Sequence, residues 1–373
     1  MLITEKTVLK TKFRYKKITV KVGSNVLTKS DGTLNDANIS HLVDQLAKLH
    51  QEGVEVVLVS SGAVAAGRGE IGNGRRLDTV SARQLWSAVG QVKMINKYAE
   101  AFKKYGIVCA QVLTTKENFS DRVHYLNMKN CISTLIEHKV IPIVNENDTI
   151  SVTELMFTDN DELSGLIASM EDSEALIILS NIDGIYDGSP ELPESNVIEQ
   201  ITSRTKLLNE AISSSKSSFG RGGMLTKYHI AKKVAKGGIN VHIANGLKEN
   251  ILLQIMNPAE DVVHTTFISE KKKSSNVKKW ISYSESFAKG EVIVNDGAKS
   301  ALLSNQASSL LPVGVTSIHG AFEKGDLIRI KDVDGKLIGI GKTEYNSEKA
   351  EKFIGNKNKK ALVHYDYLYL VER

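Results

Sequence analysis

The feature that most constrains this chain is an alternation of short apolar runs with longer stretches of helical periodicity through its first two-thirds. Runs at 17–22, 54–59, 107–113, 140–144, 175–179 and 239–243 have the length and composition of strands. The run 54–59 is apolar at every position but Glu55, as suits a strand covered on both faces. Between the runs, Ile39, Leu42, Val43, Leu46 and Leu49 fall at helical spacing, and Gly53 is placed to end that helix. The stretches 80–105 and 121–137 read as helices as well. Strands alternating with helices predict an α/β fold: an open, mainly parallel sheet sandwiched by helices.

Near residue 257 the texture changes. Asn257-Pro258 ends the alternation, and the lysine-rich run around 270–279 reads as a solvated linker. Beyond it, short alternating runs at 291–294, 314–318, 326–330, 337–341 and 361–370 are separated by glycines and describe a small β-rich barrel or sheet. The 373 residues exceed what one hydrophobic core usually serves. The expected division is a first domain over 17–265, a linker over 266–287 and a β-rich second domain over 288–366. The serine cluster 213–218 reads as a mobile loop, and the basic first 16 residues as a disordered tail.

Charge and composition exclude several classes of function. A formal net charge of +5 is slight for this length; it suits an anionic substrate and demands no nucleic acid. No run of about 18 apolar residues is present to cross a membrane, and the amino-terminal segment lacks a secretion signal's apolar core and cleavage site. Cys109 and Cys131 lie in apolar surroundings, as buried reduced thiols do. Together these features point to the cytoplasm. No Cys/His spacing suits a metal, and neither a Ser–His–Asp order nor a nucleophile elbow is visible.

In an open parallel sheet, ligands sit beyond the carboxyl ends of the strands, so the residues following each strand matter most. Strand one runs into Lys21-Val22-Gly23-Ser24-Asn25, a cation followed by small residues able to offer backbone N–H groups to phosphate. Strand two ends in Ser60-Ser61-Gly62, where small side chains let a ligand approach the backbone. Strand four ends in Asn145-Glu146-Asn147-Asp148, and Asp159-Asn160-Asp161 opens another helical stretch, where an acid also serves as a helix cap. Finally, Gly220-Arg221-Gly222-Gly223 leads into the helix 224–235 and places Lys227 one turn in. The spacing is neither the Walker P-loop nor the dinucleotide fingerprint. Each piece alone has an ordinary reading as a strand-end lysine, a turn, a cap or a linker. Their convergence on strand ends and helix starts suggests a site for a transferring phosphoryl group.

These residues resemble a known series. Lys21-Val-Gly-Ser-Asn-Val-Leu-Thr28, Ser60-Ser-Gly-Ala-Val-Ala-Ala-Gly67, Ala88-Val-Gly-Gln91, Asp121-Arg-Val-His-Tyr-Leu-Asn127, Val144-Asn-Glu-Asn-Asp148, Asp159-Asn-Asp161 and Gly222-Gly-Met-Leu-Thr-Lys227 occur in the order seen in the glutamate 5-kinase family, a branch of the amino acid kinases. The stretches Gly290–Ala298, Ser309–Pro312, Gly320–Asp326 and Tyr345–Ser347 resemble a PUA domain, an RNA-binding type of module.

The resemblance implies ATP-dependent phosphorylation of the L-glutamate side-chain carboxylate, the first step of proline synthesis, with ATP and Mg²⁺ as cofactors. It implies that Lys21 and Lys227 contact the ATP phosphates, and that Asp159 and Asp161 orient the lysines and the Mg²⁺–phosphate assembly. Ser61, Gly62, Asn145, Asp148 and Asn160 would hold glutamate, with Asp148 facing its ammonium group. Gly23, Ser180, Asn181, Arg221, Gly222, Gly223, Met224, Leu225, Thr226 and Lys227 would seat the nucleotide. Proline as feedback inhibitor, glutamyl phosphate reductase as the downstream enzyme, a homo-oligomer and RNA at the second domain are further implications.

Two positions depart from the family pattern: Asn181 stands where an aspartate is usual, and Met156 where a lysine is usual. The expectation is that these losses compensate in charge. On residues alone, three alternatives stay open. They are a relative acting on acetylglutamate, aspartate or a nucleoside monophosphate, an RNA-binding protein using the kinase fold as scaffold, and a regulatory homologue.

Overall fold

The computed structural model describes residues 13–72, 78–151, 157, 159–202, 205, 223–270, 276–304 and 307–371. The chain divides into two units, Met1–Lys272 and Lys273–Arg373.

The first unit is organised around strand β1 (Lys17–Val22), whose sequence Lys-Ile-Thr-Val-Lys-Val alternates strictly. Side chains alternate across a strand, so Ile18, Val20 and Val22 share one face and Lys17, Thr19 and Lys21 the other. β2 (Glu55–Ser60) pairs with β1 in parallel on one side and β5 (Ala175–Ser180) on the other. The remaining strands are β3 (Cys109–Thr114), β4 (Ile141–Glu146), β6 (Gln200–Ile201), β7 (Asn240–Asn245) and β8 (Thr265–Phe267). The sheet order is β3-β4-β2-β1-β5-β7-β8-β6, and every pairing is parallel except β7 with β8.

The helices are α1 (Ser24–Leu27), α2 (Asp36–Gln51), α3 (Ala63–Ile71), α4 (Thr79–Lys103), α5 (Glu117–Ser120), α6 (Arg122–Glu137), α7 (Asn160–Met170), α8 (Met224–Lys236) and α9 (Ile251–Met256). The apolar face of β1 packs in one core with Leu42 and Leu46 of α2, Tyr98 and Phe102 of α4 and Ile255 of α9. Its polar face meets α7 and the residues after it. Lys17 Nζ lies 3.0 Å from Glu171 Oε2, Thr19 Oγ1 2.8 Å from Ser173 Oγ, and Lys21 Nζ 2.6 Å from Asp161 Oδ1. A strand buried on both faces thus carries a polar row, each member matched to a partner.

In the second unit, β9 (Gly290–Val294), β10 (Val315–His319), β11 (Leu327–Lys331), β12 (Leu337–Thr343) and β13 (Val363–Leu370) form a five-stranded sheet in the order β10-β9-β11-β12-β13. Val292, Val294, Ile328, Ile330, Ile338 and Val363 lie in its own core.

Several expectations change. Of the stretch 266–287, Thr266 and Phe267 belong to β8, and α10 (Asn276–Tyr283) is a helix with Trp280 and Ile281 buried, because its apolar residues find a face on the second unit. Phe13 and Tyr15 join the first core instead of a tail. Cys131 is exposed and Cys109 only partly buried. The loop 213–218 and Met156 lie outside the described residues. No helix among the described residues is long and apolar enough to cross a membrane.

Candidate active site

The carboxyl ends of β1, β2, β4 and β5 and the starts of α7 and α8 border one cavity of about 1030 Å³. Its floor is an ion-paired triad. Asp161, in the first turn of α7, is fully buried; its Oδ1 lies 2.6 Å from Lys21 Nζ, and its Oδ2 accepts Lys227 Nζ at 2.7 Å. β1 brings Lys21 on its polar face, and Lys227 lies one turn into α8. Burial pushes the Asp161 carboxyl up, but the Lys21 and Lys227 charges and hydrogen bonds outweigh it and hold the group at about 2. Burial pulls the Lys227 ammonium down, and the Asp161 charge and hydrogen bond more than reverse it, leaving Lys227 raised and protonated.

Asp159 is the N-cap of α7. Its Oδ1 accepts from the backbone N–H of Asp161 at 2.9 Å and of Glu162 at 3.0 Å. Its Oδ2 is buried and has no hydrogen-bond partner among the described residues. Burial and then the Asp161 charge push Asp159 up to about 6, against the pull of the two lysines.

Asn160 joins two strand ends. Its Nδ2 donates to Ser61 Oγ at 2.9 Å, to Asn145 Oδ1 at 2.9 Å and to the Ser60 carbonyl at 3.3 Å. Gly62 follows with φ of 102°, the left-handed region where only glycine is at ease, and caps α3. The Ser61 backbone N–H is spent on the Val22 carbonyl at 3.1 Å, and its hydroxyl accepts from Asn160 at the cavity's edge.

Beyond Asn145 the wall is charged. Arg83 Nε of α4 donates to Asp148 Oδ1 at 2.8 Å; one terminal nitrogen contacts the same oxygen and also Glu146 Oε2 at 3.5 Å. Asp148 Oδ2 receives Ser87 Oγ at 3.5 Å, and Gln91 Nε2 donates to the Glu146 carbonyl at 3.3 Å. Arg83 and Ser87 are absent from the motifs read in the sequence, and Gln91 stands in one of them without an assigned role. The sequence shows only that the three recur every four residues on one helix, as on any solvent-facing polar stripe; the fold is what buries Ser87 and Gln91.

On the opposite side, Ser180 ends β5 and Asn181 follows it, both lining the cavity, and Gly23 donates its N–H to the Leu179 carbonyl at 3.1 Å. A methyl group at Gly23 would make ordinary contact with that carbonyl at 3.4 Å and Lys21 Nζ at 3.7 Å, so the position has room for one. Gly223 is the N-cap of α8 and offers no side chain to the helix's first N–H groups. Met224, Leu225, Thr226 and Lys227 form that first turn, whose amides and dipole favour an anion. Met224 and Lys227 line the cavity. Arg221 and Gly222 lie outside the described residues.

The arrangement holds two lysines on a single carboxylate beside small residues and a helix amino terminus. That chemistry suits the negative charge of a transferring phosphoryl group. No group of acidic, histidine or cysteine side chains among the described residues is arranged as a metal cage.

Comparison with known proteins agrees with this architecture. The model of the amino acid kinase family matches residues 16–245, and that of the PUA domain matches residues 290–365. A glutamate 5-kinase of Bacteroides thetaiotaomicron is 58% identical over 359 residues, covering 96% of this chain and 99% of that protein. One from Chlorobaculum tepidum is 51% identical, covering 96% and 98%. One from Maridesulfovibrio salexigens is 40% identical, covering 92% and 90%.

Proposed function

The chain belongs to the amino acid kinase family, and on that footing we propose that it transfers the γ-phosphoryl group of ATP to the side-chain carboxylate of L-glutamate, giving L-glutamyl 5-phosphate for proline synthesis. The observation that carries the reading is the Asp161 carboxylate holding both Lys21 and Lys227 at the junction of an amide-lined pocket and a helix amino terminus.

In this reading the pocket side takes glutamate. Ser61, Gly62, Asn145 and Asn160 direct the side-chain carboxylate, and Asp148 faces the ammonium group. Gly23, Ser180, Asn181 and the first turn of α8 from Gly223 seat the nucleotide; Arg221 and Gly222, which the family resemblance adds to that role, lie outside the described residues. One oxygen of the substrate carboxylate forms the new bond to the γ-phosphorus. The bond from that phosphorus to the β,γ-bridging oxygen breaks, and ADP leaves with the electron pair. A carboxylate is ionised at neutral pH, so no general base is required. Lys21 and Lys227 sit where charge moves onto the phosphoryl and bridging oxygens, and Asp161 fixes them before the substrates arrive.

Mg²⁺ fits the residues present. It usually takes one or two carboxylates, several waters and substrate phosphates rather than a protein cage, and the unpartnered Asp159 Oδ2 is a buried carboxylate oxygen of that kind. When bound, the ion would draw charge from the phosphate oxygens. The same reading carries proline as inhibitor, a reductase as consumer of the labile acyl phosphate, self-assembly, cytoplasmic location and RNA at the second unit.

Release of ADP from MgATP, followed with L-glutamate, L-aspartate, N-acetyl-L-glutamate and UMP as acceptors, tests the assignment. Strong stimulation by L-glutamate alone is expected. Equal or better stimulation by N-acetyl-L-glutamate, whose amide leaves Asp148 no cation, would overturn it.

A further inference from the structure

We propose that Arg83 and Asp148 act together as the reader of the α-amino-acid end of the substrate, with Arg83 taking the α-carboxylate while Asp148 takes the ammonium. The inference rests on the reading of the cavity as a glutamate site and adds to it a specificity residue.

Three observations carry it. Arg83 and Asp148 both line the cavity, on the side where Ser61, Asn145 and Asn160 cluster. Within the pair the bonding is lopsided. Arg83 Nε and one terminal nitrogen both address Asp148 Oδ1, whereas Oδ2 has the Ser87 hydroxyl at the long distance of 3.5 Å. The other terminal nitrogen of Arg83 has no partner among the described residues. An acceptor oxygen and a donor nitrogen are therefore left over from one part-buried ion pair.

An α-amino acid presents the complementary pattern. Its ammonium and carboxylate are carried by the same carbon, so a site that binds the ammonium at Asp148 Oδ2 holds the carboxylate beside the guanidinium. A planar guanidinium matches a carboxylate with two parallel N–H bonds, which a lysine cannot do. The other cations do not serve. Lys21 and Lys227 are committed to Asp161, and Arg68 has its guanidinium 5.7 Å from the centre of the Trp86 ring. Glu146, with Oε2 3.5 Å from Arg83, supplies a second acid that keeps the guanidinium on this wall when substrate is absent.

The test compares Arg83→Gln, Arg83→Lys and Arg68→Gln in the full chain. The readouts are KM and kcat for L-glutamate, and Ki for 4-aminobutyrate, which keeps the amino group and distal carboxylate but lacks the α-carboxylate. Loss of a charge-assisted bond predicts that Arg83→Gln raises KM about 10- to 100-fold, with kcat changed by less than about threefold, as for lost uniform binding. Ki for 4-aminobutyrate stays where it was, and Arg83→Lys recovers part of the KM. An unchanged KM, a fall in kcat alone, or an equal rise in KM and Ki would overturn the proposal, the last by showing that Arg83 only holds Asp148 in place. The same selective loss in Arg68→Gln would move the role to that residue. MgATP binding by each variant shows that it is folded, and the lysine variant answers the question if the glutamine variant is not. A wild-type protein inactive toward L-glutamate would sink the functional reading itself, a result distinct from an active wild type indifferent to Arg83.

Discussion

Asp161 has no solvent exposure yet carries a full charge, which the interior tolerates because two ammonium groups share it. Its neighbour Asp159 has the opposite fate, and the two acids make stability depend on pH in opposite directions. Asp161 is held at about 2, below its ordinary 3.8, so its stabilising contribution is complete above about 4 and is lost as pH falls toward 2. Asp159 is raised to about 6, so between 3.8 and 6 the folded protein keeps a proton that the unfolded chain has released. Stability therefore falls as pH rises through that window, and the cost persists above it. Asp159→Asn retains a good helix cap. We expect this variant to melt at higher temperature than wild type near pH 7.5, and the two to converge near pH 4. If the Asp159 carboxylate serves the phosphate-bound metal, the acid limb of wild-type kcat/KM lies near pH 6 and is absent from the residual activity of Asp159→Asn. Melting curves and pH–rate profiles of both proteins check this; an unchanged acid limb in the variant would assign it to another group.

At the scale of elements, the site depends on how closely α3 and α4 cross. A Cβ added at Gly67 of α3 would lie 1.8 Å from the Trp86 carbonyl oxygen of α4, and one at Gly90 would lie 1.7 Å from the Ala63 carbonyl oxygen. Both obstacles are backbone, so the helices must separate to admit a methyl group. α3 starts directly after Ser61-Gly62 and α4 carries Arg83, so that separation pulls the pocket wall apart. Gly67→Ala should cost about 3 kcal/mol or more, the upper end for overpacking, measured by urea unfolding, with a raised KM for glutamate in what remains folded. A loss below about 0.5 kcal/mol, ordinary for a surface change, would contradict this account of the crossing.

How far the sequence foretold these elements varies with the kind of signal. Strands β1, β2, β4, β5 and β7 were legible because buried parallel strands are apolar runs bounded by polar or small residues. Lys21, Asp161 and Lys227 were legible by their places at a strand end and at helix starts. Arg83 was not, because a polar residue on a long amphipathic helix looks like solvent-facing surface until the fold shows what covers it. The helix α10 was hidden by the lysines around it, since a short helix buries only one stripe and its flanks dominate the composition. The reason for Gly67 and Gly90 was equally out of reach, because a backbone-to-backbone crossing leaves no pattern beyond the glycines themselves.

At the scale of the molecule, the chain holds two units with separate cores, and the described residues that line the charge-bearing cleft belong to the first. The family model and the ion-paired floor of the cleft concern the same residues, 16–245. We propose that this cleft phosphorylates a carboxylate through Lys21, Lys227 and Asp161. An acyl phosphate is trapped by hydroxylamine, so the direct measurement is γ-glutamyl hydroxamate formed from L-glutamate, MgATP and hydroxylamine, with Lys227→Ala beside the wild type. Glutamate-dependent hydroxamate, reduced about 10²- to 10³-fold in the variant, is the predicted result. A folded, ATP-binding wild type that forms no hydroxamate, or a Lys227→Ala variant that forms as much, would contradict the account.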